Sequence, residues 1–278
     1  MQTKPITGSE ALALGALEAG VQYVSGYPGS PATATLEAML RLAGPGVRVE
    51  WSTNEKSAFD AAFGASLAGV RTLVCIKSVG LNVALDSLMV SNLAAGDGGF
   101  VILVGDDPGG WGSQNEEDSR LLAAAAEVPL LEPTSVHDAQ AIMHHAFGLS
   151  EQFRVPVVVR ITRALALDQV VPPSPPTAAR EPRSPSFSRE GDRFNVLPIH
   201  VVEMHRRLQS TIKGVRTLFE CNPLNGEEGR GRLGVIAAGH AFQKLAGVAG
   251  KSGGPPLRIL RLATLNPLPE RLVTAFLH

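Results

Sequence analysis

The chain has 278 residues, of which 44% are hydrophobic and 18% are charged, and its formal net charge is −1. These values are typical of a globular protein that can bury a sizeable core, in one large domain or two ordinary ones. A charge so close to zero provides no general field to attract nucleic acid or an anionic membrane. The two cysteines, Cys75 and Cys221, are too few for a disulfide scaffold or for an iron–sulfur cluster, which takes about four thiolates.

Neither a targeting segment nor a membrane span is expected. Residues 1–10 are polar, and the sequence contains no uninterrupted apolar run of about 18 residues. We therefore predict a cytoplasmic protein that binds neither membranes nor nucleic acid.

Short apolar runs alternate with helical patterns through the first part of the chain. The predicted helices are 9–19, 32–42, 55–68, 81–95, 119–126 and 136–149, and the predicted strands are 23–25, 47–51, 71–76, 100–104 and 155–161. The strands are unbroken runs of Val, Ile and Leu, which is typical of parallel strands covered on both faces. The predicted fold class is therefore α/β, with a doubly wound parallel sheet.

A proline-rich segment divides the chain. Six prolines lie between residues 170 and 189, a composition that favours an extended linker. We predict a first domain over 1–168, a linker over 169–194 and a second region over 195–278. That region has a helical pattern at 199–209 and strands at 233–237 and 257–262, with Gly239 opening a helix over 240–248. Two strands do not make a stable domain, so we predict a second, incomplete α/β domain that is truncated or is completed by another polypeptide.

The first candidate site follows the strand 23–25. Tyr27-Pro28-Gly29-Ser30-Pro31 lies at the carboxyl end of that strand, where open α/β sheets bind ligands. Gly29 permits close approach of the backbone, and Ser30 offers a hydroxyl group. A local interpretation is also open, in which Ser30 caps the next helix and Pro31 is its first residue.

The second candidate is Glu55. It ends the sequence Ser52-Thr53-Asn54-Glu55, which matches a capping box, in which the fourth residue binds the backbone N–H of the cap. The helix behind it has more small residues than packing against Leu and Val requires: Ala58, Ala61, Ala62, Gly64, Ala65, Ala68 and Gly69. This composition favours a functional interpretation, in which another molecule lies very close to the helix.

Four segments of the sequence carry a resemblance to a known family. They are Gly26-Tyr27-Pro28-Gly29-Ser30-Pro31, Glu50-Trp51-Ser52-Thr53-Asn54-Glu55-Lys56, Val79-Gly80-Leu81-Asn82-Val83-Ala84, and Asp106-Asp107-Pro108-Gly109 continuing to Ser113-Gln114-Asn115-Glu116-Glu117-Asp118-Ser119-Arg120. Together they resemble the α subunit of indolepyruvate ferredoxin oxidoreductases, within the wider 2-oxoacid:ferredoxin oxidoreductase family. Gly239 and the sequence Asn266-Pro267-Leu268-Pro269 resemble the start of the family's next domain, which is similar to the transketolase C-terminal domain.

The resemblance implies a pyrimidine-type thiamine diphosphate-binding domain. It implies that Glu55 hydrogen-bonds the aminopyrimidine ring and favours the tautomer whose exocyclic nitrogen removes the thiazolium proton. It places Ser30 near the carboxylate of a 2-oxoacid, so that Glu55 and Ser30 are the predicted catalytic residues. The predicted cofactor-binding residues are Tyr27, Pro28, Gly29, Glu55, Gly80, Leu81 and Asn82.

The sequence departs from the family in two ways. Many relatives have His where this chain has Ser78, which affects substrate identity and proton handling. The family's diphosphate-binding Gly-Asp-Gly and Asn-Asn motifs are not found in the expected context, because Gly96-Asp97-Gly98 precedes a strand and is predicted to be a turn. No metal ligand is therefore predicted in this chain, and Mg²⁺ and iron–sulfur clusters are expected on partner chains.

The predicted function is that of one subunit of a thiamine-dependent 2-oxoacid oxidoreductase. Its partners would be diphosphate-binding and iron–sulfur subunits, and electrons would pass to ferredoxin or a similar acceptor. Two alternatives remain open: a half-site subunit of a non-oxidative 2-oxoacid decarboxylase, and a non-catalytic remnant that acts in assembly.

The small-residue face of the helix 55–68 also predicts assembly. A helix face made of Ala and Gly leaves room for a close neighbour, and the apolar strand 257–262 would be an unprotected edge in an isolated chain. We expect an obligate hetero-oligomer with two copies of this chain.

Overall fold

The computed structural model describes residues 4–94, 96–171, 178–189, 193–249 and 256–278. The elements are, in chain order, β1 (Ile6–Thr7), α1 (Gly8–Glu18), β2 (Tyr23–Gly26), α2 (Ala32–Leu42), β3 (Arg48–Trp51), α3 (Glu55–Leu67), β4 (Thr72–Lys77), α4 (Ser78–Val83), α5 (Leu85–Ser91), β5 (Phe100–Asp106), α6 (Ser119–Ala125), β6 (Leu130–Leu131), α7 (Val136–Phe153), β7 (Val157–Thr162), α8 (Arg163–Leu167), β8 (Gln169–Val170), α9 (Pro198–Phe219), β9 (Gly226–Gly229), β10 (Leu233–Ala238), α10 (Gly239–Ala249), β11 (Leu257–Leu262), β12 (Thr264–Asn266) and α11 (Glu270–Leu277).

A seven-stranded sheet in the order β12-β6-β7-β5-β4-β2-β3 forms the centre of the fold. Every neighbouring pair is parallel except β12 and β6. Side chains of β5 alternate between two cores: Val101 and Leu103 pack on the face covered by α1, α2 and α7, whereas Ile102 and Val104 pack on the face covered by α3 to α6. Helices therefore cover both faces, and the predicted α/β fold class is confirmed.

Most predicted elements are present, and one helix is wrong. The bounds of α2 and β11 match the predictions, whereas the helix predicted over 81–95 is two helices, α4 and α5. Ala84 joins them with φ −90° and ψ 1°, outside helical geometry. Because α4 begins directly after β4, its Ser78 and Gly80 come immediately to the carboxyl edge of the sheet; Ala95 lies outside the described residues.

The second region contains more sheet than the sequence predicted. β10, β11 and β9 form a three-stranded sheet, with β10 parallel and β9 antiparallel to β11. The expectation of only two strands was wrong, as was that of an exposed edge at Leu257–Leu262, because β11 is the central strand. β12 leaves this region and pairs with β6 of the large sheet, where Thr264 lies opposite Leu131.

Residues 178–189, from the segment predicted to be a linker, lie along the first part of the chain. The backbone N–H of Arg180 donates to the Glu18 carbonyl at 2.9 Å, and that of Ser186 donates to the Ala68 carbonyl at 2.8 Å. Arg183 forms an ion pair with Glu151 at 2.9 Å. Prolines 172, 173, 175 and 176 fall outside the described residues, and the division into two domains and a linker stays a prediction.

The small residues of α3 and of the turn after it do not share one face of the helix. Ala58 and Ala62, one turn apart, are fully buried against the sheet, whereas Ala61 is exposed. Gly69, just beyond the helix, has φ +82°, and a Cβ atom there would lie 3.1 Å from the carbonyl oxygen of Ser186. The predicted single interface face was therefore wrong, because part of the close packing is with the chain's own core and with residues 178–189.

The described residues include no helix both long and apolar enough to span a bilayer.

Candidate active site

The candidate site lies where β2, β3, β4 and β5 end. β3 pairs with one edge of β2, and β4 pairs with the other. The chain therefore changes direction across the sheet at β2, and open α/β sheets usually bind ligands in a crevice outside the carboxyl ends of the strands at such a point. The loops after these strands carry all the predicted site residues.

The loop after β2 lies close to the neighbouring strand ends. A Cβ atom at Gly29 would lie 2.8 Å from Cβ of Lys77, so glycine permits this approach. The Gly29 N–H donates to Thr33 Oγ1 at 2.7 Å. Ser30 is exposed and does not cap α2, since Pro31 occupies the cap position and no side chain of the described residues caps the helix. The local interpretation of Ser30 was wrong, and its hydroxyl group is available at the crevice.

Glu55 is the first residue of α3, and it has no capping role. The cap is Asn54, whose Oδ1 accepts a hydrogen bond from the Ser57 N–H at 2.8 Å. The capping box that the sequence indicated at Ser52–Glu55 was therefore wrong, because the helix begins two residues later than that motif requires. Glu55 is half-buried, and within the described residues its carboxylate forms neither a hydrogen bond nor an ion pair.

Gly80 makes room for the Glu55 side chain. A Cβ atom at position 80 would lie 2.4 Å from Cγ and 2.8 Å from Oε1 of Glu55. The side chain of Glu55 thus lies against the backbone of α4, at the start of the loop after β4. A half-buried carboxylate without a partner, held against a glycine at a strand's carboxyl end, is an arrangement that suits a ligand with a hydrogen-bond donor.

Leu81 and Asn82 follow Gly80 and differ in exposure. Leu81 is fully buried in the core beneath the site. Asn82 is exposed, and its Nδ2 donates to Glu117 Oε1 at 2.7 Å. Asn82 therefore links α4 to the loop after β5.

The predicted site residues did not include Lys77, Asp107 or Glu117, although the last two lie in the segments that carry the resemblance. Lys77 ends β4 and is 5% exposed, and its Nζ donates to the Gly112 carbonyl at 2.8 Å and lies 3.7 Å from Asp107 Oδ2. The same Asp107 oxygen accepts from the Gly112 N–H at 2.7 Å. A lysine that ends a buried apolar strand was the available signal, since lysine is almost never buried without a partner.

Replacing Lys77 by Met should loosen the loop 107–118 without unfolding the chain. The variant loses a charged hydrogen bond to Gly112, worth about 1.5–3 kcal/mol, so loop opening should increase by about tenfold or more. Limited proteolysis and hydrogen exchange within residues 108–118 measure this. Lys56→Met is the control, because its ion pairs with Asp60 and Asp86 are exposed and worth little. Equal protection of the loop in both variants would contradict the role of Lys77.

A buried triad of charged side chains lies next to the crevice. Asp106 ends β5, Glu132 follows β6, and Arg160 lies in β7. Arg160 Nε donates to Asp106 Oδ2 at 2.6 Å, and its second nitrogen, Nη1, donates to Glu132 Oε1 at 2.7 Å. The Ser119 N–H also donates to Asp106 Oδ2, at 3.0 Å. Burial raises the pKa of Glu132 above its usual range, although Arg160 opposes this. The triad fixes the ends of β5 and β7 next to the crevice.

The described residues fit one side of a thiamine diphosphate site. The Glu55 carboxylate, which lies against Gly80 and has no partner in the described chain, suits the aminopyrimidine ring that the resemblance implies. In contrast, the described part of the chain holds no group of three or more His, Cys, Asp or Glu side chains arranged for a metal ion. Ligands for Mg²⁺ and the diphosphate are not recognised among them.

Gly80→Ala tests the contact between α4 and Glu55. The added methyl group would displace the Glu55 carboxylate, so cofactor affinity should fall by about tenfold or more while the fold persists. Gly64→Ala is the control, since a Cβ atom at that position meets nothing within 4 Å and Ala favours a helix. Calorimetric titration of the assembled complex with thiamine diphosphate measures both variants. Equal affinities in the two variants would show that Gly80 plays no part in the site.

Comparison with known proteins identifies the family. Residues 14–200 match the family described as pyruvate flavodoxin/ferredoxin oxidoreductase, thiamine diphosphate-binding. The chain belongs to this family. The predicted resemblance is also confirmed, because 98% of the chain aligns at 37% identity with the indolepyruvate oxidoreductase subunit IorA of Thermococcus kodakarensis. IorA of Methanothermobacter thermautotrophicus is likewise 37% identical over 98% of the chain. The chain spans only 43% and 44% of these two relatives.

Two further members of the wider group are more distant. The 2-oxoglutarate synthase subunit KorA of Methanothermobacter thermautotrophicus is 29% identical over 55% of the chain. A solved 2-oxoglutarate:ferredoxin oxidoreductase from Magnetococcus marinus superposes with a TM-score of 0.77 over 99% of this chain and 56% of its own, at 19% identity. That superposition supports the fold. The matched residues 14–200 include both Glu55 and Gly80.

Proposed function

We propose that the chain is the pyrimidine-binding part of a thiamine diphosphate-dependent indolepyruvate:ferredoxin oxidoreductase. The observation that carries the proposal is Glu55, whose carboxylate lies against Gly80 with no partner in the described chain. The family match supports the cofactor, and the similarity to IorA subunits supports an aryl 2-oxoacid as the substrate.

Each residue of the crevice has a proposed task. Glu55 would hold a proton between its carboxylate and a ring nitrogen of the aminopyrimidine, an acid–base role at a distance from the substrate. Ser30 would donate its hydroxyl hydrogen to the substrate carboxylate, and Gly29 would allow the ligand close to the backbone. Thiamine diphosphate, when bound, supplies a carbon nucleophile for the 2-oxoacid carbonyl and a sink for the electron pair left by CO₂. Asn82, which donates a hydrogen bond to Glu117, would support the side of the crevice formed by α4 and the loop after β5.

The ligands for the rest of the active site are proposed to come from partner polypeptides. The diphosphate, its Mg²⁺ and the iron–sulfur clusters need ligands not recognised here, and the two cysteines are too few for a cluster. Of these, Cys75 is buried, which raises the pKa of its thiol and makes it a poor ligand. The partners proposed are diphosphate-binding and iron–sulfur polypeptides and a ferredoxin-like acceptor, in a cytoplasmic complex with two copies of this chain.

Exposed apolar side chains near the crevice support assembly. Trp51 at the end of β3, Val83 on α4, and Met89 and Val90 on α5 are all exposed. These elements adjoin the carboxyl edge that carries Glu55, so a partner that covers them could also close the crevice.

Reconstitution tests the proposed function. The chain would be co-expressed with the products of neighbouring genes, and reduction of methyl viologen would be followed with indolepyruvate, pyruvate or 2-oxoglutarate. Dye reduction that prefers indolepyruvate supports the proposal. Release of CO₂ without dye reduction would instead favour the non-oxidative decarboxylase, and a complex that assembles but gives neither product would favour the non-catalytic role.

A further inference from the structure

A second cavity lies beside the active-site crevice, on the other side of the loop after β5. Its volume is about 500 Å³, and its lining comes from the loop after β5, the start of α6, β7 with α8, and the end of β10 with the start of α10. Pro108 and Trp111 of the loop face this cavity, whereas Gly112 and Glu117 of the same loop contact Lys77 and Asn82 of the crevice. The volume falls in the range of small-molecule sites.

Positive charge dominates the lining. Four cationic side chains line the cavity: Arg120, Arg160, Arg163 and Lys244. Two of the four have carboxylate partners, since Arg120 pairs with Asp118, and Arg160 pairs with the triad partners described above. Arg163 and Lys244 form no ion pair in the described part of the chain. Two positive charges are therefore available to a ligand.

Trp111 provides an aromatic surface. It is 74% exposed, and the Arg163 guanidinium carbon lies 5.2 Å from the centre of its ring. Arg163 therefore covers one part of the indole and leaves the rest open. A large aromatic side chain held in this way at the mouth of a cationic cavity suits a planar group that stacks on it.

The walls of the cavity hold two unpartnered polar atoms. Glu132 is 4% exposed, and its Oε2 is buried without a hydrogen-bond partner among the described residues. Nδ1 of His240 is also buried, and it has no hydrogen-bond partner in the described part of the chain. Both residues line the cavity, and buried polar atoms are nearly always satisfied. Both atoms lie behind the surface of the cavity, so they make its wall polar.

We propose that this cavity binds a small organic anion with a planar ring, at a site separate from the Glu55 crevice. The anionic oxygens pair with Arg163 and Lys244 at the mouth, and the ring stacks on Trp111. Guanidinium and ammonium groups bind carboxylates and phosphates alike, so the shared chemistry is an anionic oxygen cluster on a flat molecule.

Intrinsic fluorescence tests the proposal directly on this chain. The sequence has two tryptophans, so Trp51→Phe leaves Trp111 as the single reporter. Three probes of similar shape separate charge from stacking: phenyl phosphate, benzoate and benzyl alcohol. We expect saturable changes in Trp111 emission, with affinity in the order phenyl phosphate, benzoate, benzyl alcohol, and weaker binding at high salt. Inorganic phosphate should bind more weakly than phenyl phosphate, because it cannot stack.

Charge removal provides the matched comparison. In the Trp51→Phe background, Lys244→Met should weaken phenyl phosphate binding by about tenfold, the effect expected for a lost charged hydrogen bond. Lys213→Met, on the exposed surface of α9, should leave binding unchanged. Circular dichroism confirms that each variant is folded. Equal affinity for the three probes, the same loss in both lysine variants, or no saturable change would overturn the proposal, whatever the outcome of the reconstitution assay.

Discussion

Replacing Glu55 by Gln is expected to lower turnover of the assembled complex by about 10²- to 10⁴-fold, the range typical of general acid–base groups. Gln has nearly the same shape and fills the space against Gly80, but it cannot carry the negative charge that shares a proton with the cofactor ring. Because Glu55 caps nothing and pairs with nothing in the described chain, its replacement should leave thermal unfolding unchanged. Steady-state kinetics and thermal melts of the same preparations measure both effects.

The residue before Glu55 provides the control. Asn54 caps α3, and Asn54→Ala should cost about 1 kcal/mol of stability while turnover per folded complex stays near normal. The two variants therefore separate stability from catalysis at adjacent positions. If Glu55→Gln instead lost stability and kept its rate, the catalytic assignment of Glu55 would be refuted.

Arg160→Met is expected to have the largest effect on stability. The variant leaves Asp106 and Glu132 buried without their cation, and loss of one partner from a buried ion pair typically costs about 3–5 kcal/mol. The pKa of Glu132, already raised by burial, should rise further, so the variant should be less destabilised at low pH than at neutral pH. Urea unfolding at pH 5 and pH 8 measures the difference.

An exposed arginine is the control for this prediction. Arg258 pairs with Glu227 near the surface, and Arg258→Met should cost less than about 1 kcal/mol. Adding Glu132→Gln to Arg160→Met should restore part of the lost stability, because it removes one of the two unpaired charges. An unfolding midpoint for Arg160→Met equal to that of Arg258→Met would show that the triad does not stabilise the fold.

The sequence predicted the parts of the fold that local patterns determine. The strands β4 and β5 are unbroken apolar runs, and α2 has clear limits, so their positions were close to correct. The two-residue strand β6 and the strand β12 were missed, because their pairing joins segments more than a hundred residues apart. The helix predicted over 81–95 was wrong because the break at Ala84 has no Gly or Pro to mark it.

The candidate site could be predicted in part for a similar reason. Glu55 and Gly80 were identified from motifs, but that Glu55 lies against Gly80 depends on how α3 and α4 pack. The contact of Lys77 with Gly112 joins a buried strand end to a distant loop, and no periodic pattern indicates it. The cavity beside the crevice was missed as well, because β7 and α10 contribute residues that lie far apart in the sequence.

Titration calorimetry with thiamine diphosphate and Mg²⁺ tests the central claim most directly. The claim is that this chain supplies only the pyrimidine side of a shared site. The isolated chain should bind the cofactor weakly and without dependence on Mg²⁺, whereas the assembled complex should bind it tightly and only with Mg²⁺, because the diphosphate and metal provide most of the charge-based affinity. Tight, Mg²⁺-dependent binding by the isolated chain would contradict the account.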